Sequence, residues 1–263
     1  MKNIQDFARA RSDGRKIVML TAYDYWSARL LNDTPVDCLL VGDSCAMVMH
    51  GYPDTLAATT ELMSLHTRAV RLGAPDLFVV GDMPFLSFRG SRDRAMDCVQ
   101  ALMQAGAQAV KLEGAAGHLD LVQHLSESGV PVMGHLGLTP QSVHALGGYR
   151  VQARSQEAAQ RLVQDALALQ QAGCFALVLE CVPDTVAAQV TQQLDIPTIG
   201  IGAGPQVDGQ VLVLHDMLGA QPKFQPRFVR RYGDLAGLLQ GAVGRFVEDV
   251  RSGAFPAPEE SYP

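Results

Sequence analysis

The sequence predicts an α/β protein folded as a (β/α)8 barrel of the TIM type, with a short helix ahead of the first strand. Three observations lead to this fold class. Eight short apolar runs alternate along the chain with longer amphipathic stretches. Most of these runs are apolar throughout, as strands buried on both faces of a parallel sheet are. The length of 263 residues suits eight strand–helix units in one barrel.

The eight predicted strands are too short for helices and are rich in Val, Ile or Leu. They cover residues 17–23, 38–43, 77–84, 109–114, 131–137, 176–181, 197–204 and 210–217. The last two are separated only by residues 205–209. This connection is too short for a crossover helix, so either that unit lacks one or the last strand is misplaced.

Most predicted helices begin at Ser, Thr or Asp and end near Gly, which are the residue types that favour helix caps. The N-terminal helix is predicted over residues 3–12. The others cover residues 24–31, 59–73, 91–106, 117–128, 155–173, 183–193 and 234–251. No linker or internal repeat interrupts the alternation. Residues 1–263 are therefore predicted to form a single barrel domain.

Composition excludes several classes of protein. The net charge of -6 argues against a nucleic-acid-binding surface, which is normally basic. The N-terminus has no apolar core of a secretory signal, and no apolar run approaches the length of a spanning helix. The 5 cysteines contain no CxxC pair and are interpreted as reduced thiols. We expect a cytoplasmic protein with neither nucleic-acid nor membrane partners.

Polar side chains stand at the ends of five predicted strands whose bodies are apolar. They are Asp43 with Ser44, Asp82, Lys111 with Glu113, His135 and Glu180. In a (β/α)8 barrel the chemistry takes place at the C-terminal ends of the strands. We therefore expect these side chains to converge. Residues i and i+2 of a strand share a face, so Lys111 and Glu113 should project side by side.

The three acidic residues Asp43, Asp82 and Glu113 predict a Mg²⁺ site, because Mg²⁺ prefers oxygen ligands. The structural alternative is that they cap helices or pair with basic residues. Lys111 either neutralises Glu113 or holds the negative charge of a substrate.

Two further strand-end residues allow a catalytic and a structural interpretation. Glu180 ends an apolar run and is either a general base or one partner of a buried ion pair. His135 is either an orienting hydrogen-bond donor or a satisfied core histidine. Spacing alone leaves both alternatives open.

Several longer motifs carry a specific resemblance. They are KIVMLTAYDYWSA, VGDS, GDMPF, AVKLEG, PVMGHLGLTPQSV, LGGYRVQ, LVLECVP, IPTIGIGAGPQVDGQVLVLHDMLG and VRSGAFP. Together they resemble the ketopantoate hydroxymethyltransferase family over nearly the whole chain. Cys45, Ala46 and Gly81 depart from the residues usual in that family, but no predicted site residue is missing.

The resemblance implies a barrel related to phosphoenolpyruvate mutase and isocitrate lyase. It also implies an activity, the transfer of a hydroxymethyl group from 5,10-methylenetetrahydrofolate to 3-methyl-2-oxobutanoate. The products would be 2-dehydropantoate and tetrahydrofolate, in the biosynthesis of pantothenate, a coenzyme A precursor. The implied assembly is a homo-oligomer such as a decamer.

The resemblance also implies roles for the strand-end residues. Mg²⁺ would be bound by Asp43, Asp82 and Glu113. The keto acid would contact residues that surround the metal, namely Asp43, Ser44, Asp82 and Lys111. Glu180 would accept the substrate proton. Apart from the resemblance, we predict His135 as a further substrate contact, in the role of an orienting donor.

Two other functions remain open from the sequence. A lyase or mutase of the related superfamily would act on an oxaloacetate-like or phosphonopyruvate-like acid without folate. The KxCG-type loop of isocitrate lyase is absent from the sequence. A barrel that only binds ligands or partners would be expected to lose the strand-end charges, which this chain retains.

Overall fold

The protein forms a closed parallel β-barrel, as the sequence predicts. The computed structural model describes residues 3–223 and 225–262. The strands pair in chain order, and the last pairs with the first to close the barrel. They are β1 Ile17–Thr21, β2 Cys38–Val41, β3 Phe78–Asp82, β4 Ala109–Glu113, β5 Val132–Gly137, β6 Ala176–Glu180, β7 Thr198–Ile201 and β8 Gly209–Leu212. Each overlaps its predicted range.

Helices connect most of the strands. The α-helices are α1 Ile4–Ser12, α2 Tyr25–Asn32, α3 Cys45–Val48, α4 Thr60–Gly73, α5 Arg92–Ala105, α6 Leu119–Glu127, α7 Val143–Leu146, α8 Gln156–Gln171, α9 Asp184–Gln193, α10 Leu214–Met217 and α11 Leu235–Ser252. Short 3₁₀ turns cover Thr55–Ala57, Pro140–Ser142 and Pro258–Glu260. The predicted caps Thr59, Ser91 and Ser155 each accept a backbone N–H in the first turn of their helix. Each therefore satisfies a donor that the helix itself leaves unpaired.

The end of the chain's last strand differs from the prediction. β8 ends at Leu212, opposite Leu20 of β1, and the residues predicted to continue it form α10 instead. A short apolar run does not distinguish a strand from a buried helical turn, which explains the error. The absence of a helix between β7 and β8, one of the two predicted alternatives, is confirmed. Gly209 permits barrel closure, because a Cβ there would lie 2.6 Å from the carbonyl oxygen of Ile17.

The N-terminal end of the barrel interior is apolar. Phe7 of α1 is fully buried, and its ring meets those of Phe78 and Phe175 edge-on, with centroids 5.3 and 5.2 Å away. Arg11 also holds α1 in place by donating to the carbonyl oxygen of Thr191 at 2.8 Å and pairing with Asp208. The predicted N-terminal helix therefore closes one end of the barrel.

The chain divides into two compact units, Met1–Leu212 and Val213–Pro263. The first contains all eight barrel strands. The second contains α10 and α11, and α11 exposes apolar side chains that include Leu238, Val243 and Phe246. The assignment of residues 1–263 to a single domain stays a prediction. Within the described part of the chain, no helix combines the length and apolarity needed to cross a membrane.

Candidate active site

The predicted site residues lie at the C-terminal end of the barrel. Alternation along the strands explains their position, because every second residue points into the barrel. On β3, Phe78 and Val80 belong to the apolar core and Asp82 follows at the same spacing. On β4, Ala109 belongs to the core and is followed at that spacing by Lys111 and then Glu113. Lys111 and Glu113 therefore share one face of β4, as predicted.

Lys111 forms a buried ion pair with Asp82. Its Nζ lies 3.1 Å from Asp82 Oδ1, and the two residues are direct partners in the β3–β4 register. Burial lowers the pKa of Lys111, but the carboxylates of Asp82, Glu113 and Asp43 outweigh burial and raise it. Lys111 is therefore a permanent cation. The carboxylate paired with Lys111 is that of Asp82, whereas the spacing along β4 had suggested Glu113.

His135 lies between two carboxylates. Its Nδ1 is 3.4 Å from Glu113 Oε1, and its Nε2 is 3.2 Å from Glu180 Oε2. Burial and Lys111 lower the pKa of His135, but the adjacent carboxylates of Glu113 and Glu180 outweigh them and raise it to about 9. The imidazole is thus a buried cation within the charged cluster. Glu180 therefore has an ionic partner in this cluster, as one of the two alternatives from the sequence predicts.

Asp43 follows β2 and contributes both its side chain and its backbone. Its N–H donates to Asp82 Oδ2 at 3.1 Å. Burial raises the pKa of the Asp43 carboxyl, and repulsion from Asp82 and Glu113 raises it further. The neighbouring Ser44 shares a hydrogen bond of 2.8 Å with the hydroxyl of Tyr23. A Cβ on Gly42 would lie 2.8 Å from Ser44 Oγ and 3.5 Å from Asp82 Oδ2, which shows how closely these groups converge.

The site contains two buried residues that were not predicted from the sequence. Gln141 donates from its backbone to Glu113 and from its side chain to Asp43, although it lies in a turn beyond β5. Tyr23 is fully buried and hydrogen-bonds Ser44. The signal for Tyr23 was its hydroxyl at the end of an apolar run, because buried tyrosines usually find a hydrogen-bond partner. No spacing pattern pointed to Gln141.

The end of β5 is held against Glu180. Gly137 has φ +93, and a Cβ there would lie 2.2 Å from the carbonyl oxygen of Glu180. Leu138 then donates its N–H to that oxygen at 2.8 Å. Only glycine permits both the left-handed backbone and this approach. The backbone of the proposed base is therefore fixed while its side chain remains 17% exposed.

The acidic residues fit a divalent cation. Asp82 Oδ1 and Glu113 Oε1 are buried and already face cations, Lys111 Nζ at 3.1 Å and His135 Nδ1 at 3.4 Å, so the site stabilises positive charge beside these oxygens. Among the described residues, no three His, Cys, Asp or Glu side chains are already grouped as a complete metal-binding set. Mg²⁺ requires only one or two protein carboxylates, because water and substrate oxygens complete its coordination. The donor set therefore suits Mg²⁺ bound together with a substrate.

A cavity gives access to the cluster. Its volume is about 280 Å³, and it reaches Glu113 and Gln141 between Phe85, Phe88 and Arg89. Arg89 donates to the carbonyl oxygens of Glu113 and Ala116. The charged cluster is therefore buried and still reachable by a small molecule.

Fold and site together define a (β/α)8-barrel protein with a buried charged cluster at the C-terminal ends of its strands. The structure is similar to a phosphonopyruvate hydrolase described as a complex with oxalate and Mg²⁺, with TM-score 0.63 and 15% identity over 99% of this chain and 93% of that chain. It is also similar to 2,3-dimethylmalate lyase, described as a member of the PEP mutase/isocitrate lyase superfamily, with TM-score 0.62 and 15% identity over 100% and 93% of the two chains. At this identity the likeness establishes the fold.

Sequence comparison specifies the family. The ketopantoate hydroxymethyltransferase family matches residues 1–258. A relative from Francisella tularensis subsp. tularensis is 49% identical over 262 residues, covering 100% of this chain and 99% of the relative. One from Coxiella burnetii is 51% identical over 255 residues, covering 97% and 96%. Both are named 3-methyl-2-oxobutanoate hydroxymethyltransferase. The chain belongs to the ketopantoate hydroxymethyltransferase family, which confirms the family and enzyme class predicted from the motifs.

Proposed function

We propose that the chain transfers a hydroxymethyl group from 5,10-methylenetetrahydrofolate to 3-methyl-2-oxobutanoate. The products are 2-dehydropantoate and tetrahydrofolate, and the reaction belongs to pantothenate biosynthesis. The observation that carries this proposal is the buried cluster in which the cations Lys111 and His135 alternate with carboxylates at one end of the barrel. Such a site can hold an anionic keto acid and also remove a proton from it.

Lys111 is the group that binds and stabilises negative charge. Asp82 orients its ammonium group at 3.1 Å, so the cation is positioned before the substrate arrives. A fixed charge in a buried site needs little reorganisation when charge develops on the keto oxygen. Ser44 supplies a hydroxyl whose orientation is fixed by Tyr23.

Glu180 is the proposed base for the C3 proton. Its carboxylate is held at 3.2 Å from His135 Nε2, and its partial exposure leaves it able to reach a ligand. Transfer of the C3 proton to Glu180 leaves the electron pair on the substrate, where Lys111 offsets the developing charge. The C3 carbon then forms its bond to the methylene carbon of the folate as one C–N bond breaks. Water replaces the second folate nitrogen on that carbon, which releases tetrahydrofolate and supplies the hydroxyl of the product.

Asp43, Asp82 and Glu113 are the residues proposed to hold Mg²⁺. When bound, Mg²⁺ acts as a Lewis acid that polarises the keto group and so acidifies the C3–H bond. Two features support the assignment. Buried oxygens of Asp82 and Glu113 already face positive charge, from Lys111 Nζ at 3.1 Å and His135 Nδ1 at 3.4 Å. The four carboxyl groups of the cluster, Asp43, Asp82, Glu113 and Glu180, also outnumber its two cations, Lys111 and His135.

The cellular context follows the same proposal. We place the protein in the cytoplasm as a homo-oligomer such as a decamer, with the two small molecules as its substrates and without nucleic-acid or membrane partners. Light scattering coupled to size-exclusion chromatography tests the assembly. A monomeric mass at working concentration would contradict it.

One assay tests the reaction. Purified protein is supplied with 3-methyl-2-oxobutanoate, methylenetetrahydrofolate and Mg²⁺, and formation of 2-dehydropantoate is followed. We expect product only when both organic substrates are present. Net consumption of keto acid without folate would instead favour lyase or mutase chemistry. Full activity after EDTA treatment, with metal content verified as absent, would contradict the role of Mg²⁺.

A further inference from the structure

Gln141 occupies an unusual position for a residue without a charge. It lies in the Pro140–Ser142 turn that follows β5, and its side chain is buried among the acidic residues. The turn is held by the N–H of Ser142, which donates to the carbonyl oxygen of Thr139 at 2.8 Å. A buried amide at this place must have its hydrogen-bonding groups satisfied.

Its donors go to two of the three proposed metal ligands. The backbone N–H donates to Glu113 Oε2 at 3.0 Å. The side-chain Nε2 donates to Asp43 Oδ2 at 2.8 Å and to the carbonyl oxygen of Met83 at 2.9 Å. Both hydrogens of the amide group are therefore used. Because both side-chain partners are acceptors, only the NH₂ end of the amide can face them.

The three carboxylates share a pattern of hydrogen bonding. One oxygen of each accepts a protein N–H, from Gln141 for Asp43 and Glu113 and from the Asp43 backbone for Asp82. The other oxygens, Asp82 Oδ1 and Glu113 Oε1, face the cations Lys111 and His135 at 3.1 and 3.4 Å. The N–H donors thus hold each carboxylate by one oxygen. This arrangement fixes the orientation of the carboxylates and directs the other oxygens of Asp82 and Glu113 toward positive charge.

We propose that Gln141 is a positioning residue for divalent-cation binding, whose side chain orients Asp43 while its backbone orients Glu113. The inference rests on the proposed function, because it requires these carboxylates to hold the cation. Outer groups that hydrogen-bond metal ligands fix their orientation and commonly change metal affinity when removed. A neutral amide suits this task, since a cation in its place would repel the metal and a carboxylate would repel Asp43.

The side-chain and backbone donors of Gln141 respond differently to substitution. A change of side chain removes the bonds to Asp43 and Met83, whereas the backbone N–H to Glu113 remains. A substitution therefore releases one ligand and leaves the other held. The bond to Met83 alone would give Gln141 a purely structural role, as a tie between the turn and the end of β3. Metal affinity separates these two roles.

A matched glutamine is available as a control. Gln170 on α8 accepts from the N–H groups of Asp195 and Ile196 at 2.7 and 3.1 Å and donates to Asp195 Oδ2 at 3.2 Å. Its amide therefore also connects a helix to a neighbouring loop by hydrogen bonds, but none of its partners belongs to the charged cluster. Gln170→Met removes a comparable set of bonds.

The test titrates Mn²⁺ into the full-length protein by electron paramagnetic resonance, with Mg²⁺ as competitor. We expect Gln141→Met to weaken cation binding by about 10- to 100-fold, which is the usual range for groups that support a metal ligand. Gln170→Met should lower the thermal midpoint without changing affinity. With saturating Mg²⁺, Gln141→Met should recover most of its kcat. If Gln141→Met does not fold, Gln141→Asn keeps an amide that is too short to reach Asp43.

The outcomes separate the two proposals. If the wild type binds Mn²⁺ and the Gln141 variants bind it equally well, the positioning role is overturned and the proposed function stands. If the wild type binds neither Mn²⁺ nor Mg²⁺, both the metal assignment and the role of Gln141 fail. Equal losses of affinity in the Gln141 and Gln170 variants would also overturn the inference, because they would report lost stability.

Discussion

The two ends of the barrel interior have opposite chemistry although the same strands build both. At the N-terminal end, Phe7, Phe78 and Phe175 pack edge to face beneath a layer of aliphatic side chains. At the C-terminal end, Lys111 and His135 lie among carboxylates. A strand such as β3 therefore begins in the apolar core with Phe78 and ends in the charged cluster with Asp82.

The difference shows how the fold accommodates a buried charged site. The apolar layers remove hydrophobic surface from water and stabilise the barrel. The charged layer contributes little to stability, because desolvation of buried ions offsets much of their mutual attraction. Changes at the apolar end should therefore affect folding, and changes at the charged end should affect chemistry and ligand binding. The predictions below test that division, from the largest expected effect to the smallest.

Glu180→Gln should have the largest effect on chemistry. Loss of a general base is expected to slow exchange of the substrate C3 proton by about 10²- to 10⁴-fold, while binding of the keto acid persists. Exchange is measured by proton NMR in deuterated water with Mg²⁺ present. Glu157→Gln, at an exposed position of α8, is the control and should leave exchange unchanged. Normal exchange in the Glu180 variant would remove this residue from the role of base.

Phe7→Ala should have the largest effect on stability. Truncating a fully buried aromatic side chain leaves a cavity and is expected to lower the free energy of unfolding by about 3–5 kcal/mol. Urea denaturation measures the loss, and proton exchange per folded molecule should remain near that of the wild type. A variant with normal stability but slow exchange would contradict the separation of the two ends.

Glu113→Ala and Lys111→Ala should fail in different ways. Removal of Glu113 is expected to raise the Mg²⁺ concentration needed for activity by about 10- to 100-fold. Removal of Lys111 should raise the KM for the keto acid by a similar factor at saturating Mg²⁺, because a hydrogen bond to a charged group contributes about 1.5–3 kcal/mol. Steady-state kinetics over both ligands distinguish the two.

The contrast between these variants is the informative result. Identical defects in the two variants would indicate that Lys111 and Glu113 have a structural role, because a shared loss of folding or of cluster geometry would explain both defects. Thermal midpoints measured in parallel show whether either protein is unfolded under the assay conditions.

His118 should show the smallest effect, in the dependence of stability on pH. Burial and, to a smaller extent, the charge of Arg89 together lower the pKa of His118 from the usual value of 6.5 to about 4. An unfolded chain would therefore bind a proton between pH 6.5 and 4 that the folded protein does not bind. The contribution of His118 to the free energy of unfolding is present above pH 6.5 and is lost as the pH falls through 4.

NMR titration of the imidazole C2 proton measures this pKa directly. A midpoint near 6.5 would contradict the prediction. His118→Gln provides the control, because its free energy of unfolding should vary less over the same pH range. His118 and His135 also sharpen the comparison of environments: both are buried, yet carboxylate partners raise the pKa of His135 to about 9.

Much of the fold could be predicted because the strands are buried on both faces. Continuous apolar runs separated by capped amphipathic stretches have few alternatives to a parallel barrel, and Thr59, Ser91 and Ser155 cap their helices as predicted. The strand predicted over residues 210–217 is too long for a related reason, because an apolar run of this length fits a strand and a buried helical turn equally well. In the structure, the pairing of β8 with β1 extends only to Leu212.

The sequence by itself determined which end of the barrel carries the polar groups. The period of two along each strand places Asp82, Lys111 and Glu180 in the interior, and strand polarity places them at one end. These are local rules of the backbone, so a single chain suffices to apply them. The predicted convergence of these residues is therefore present in the structure.

Only the tertiary structure decided which side chains are partners. Lys111 pairs with Asp82 on the neighbouring strand rather than with Glu113 on its own, and His135 bridges Glu113 and Glu180. Gln141 reaches Asp43 and Glu113 from a turn that no periodicity connects to them. Barrel curvature, strand register and loop path set these distances. They arise from packing across the whole barrel, which no local pattern in the sequence records.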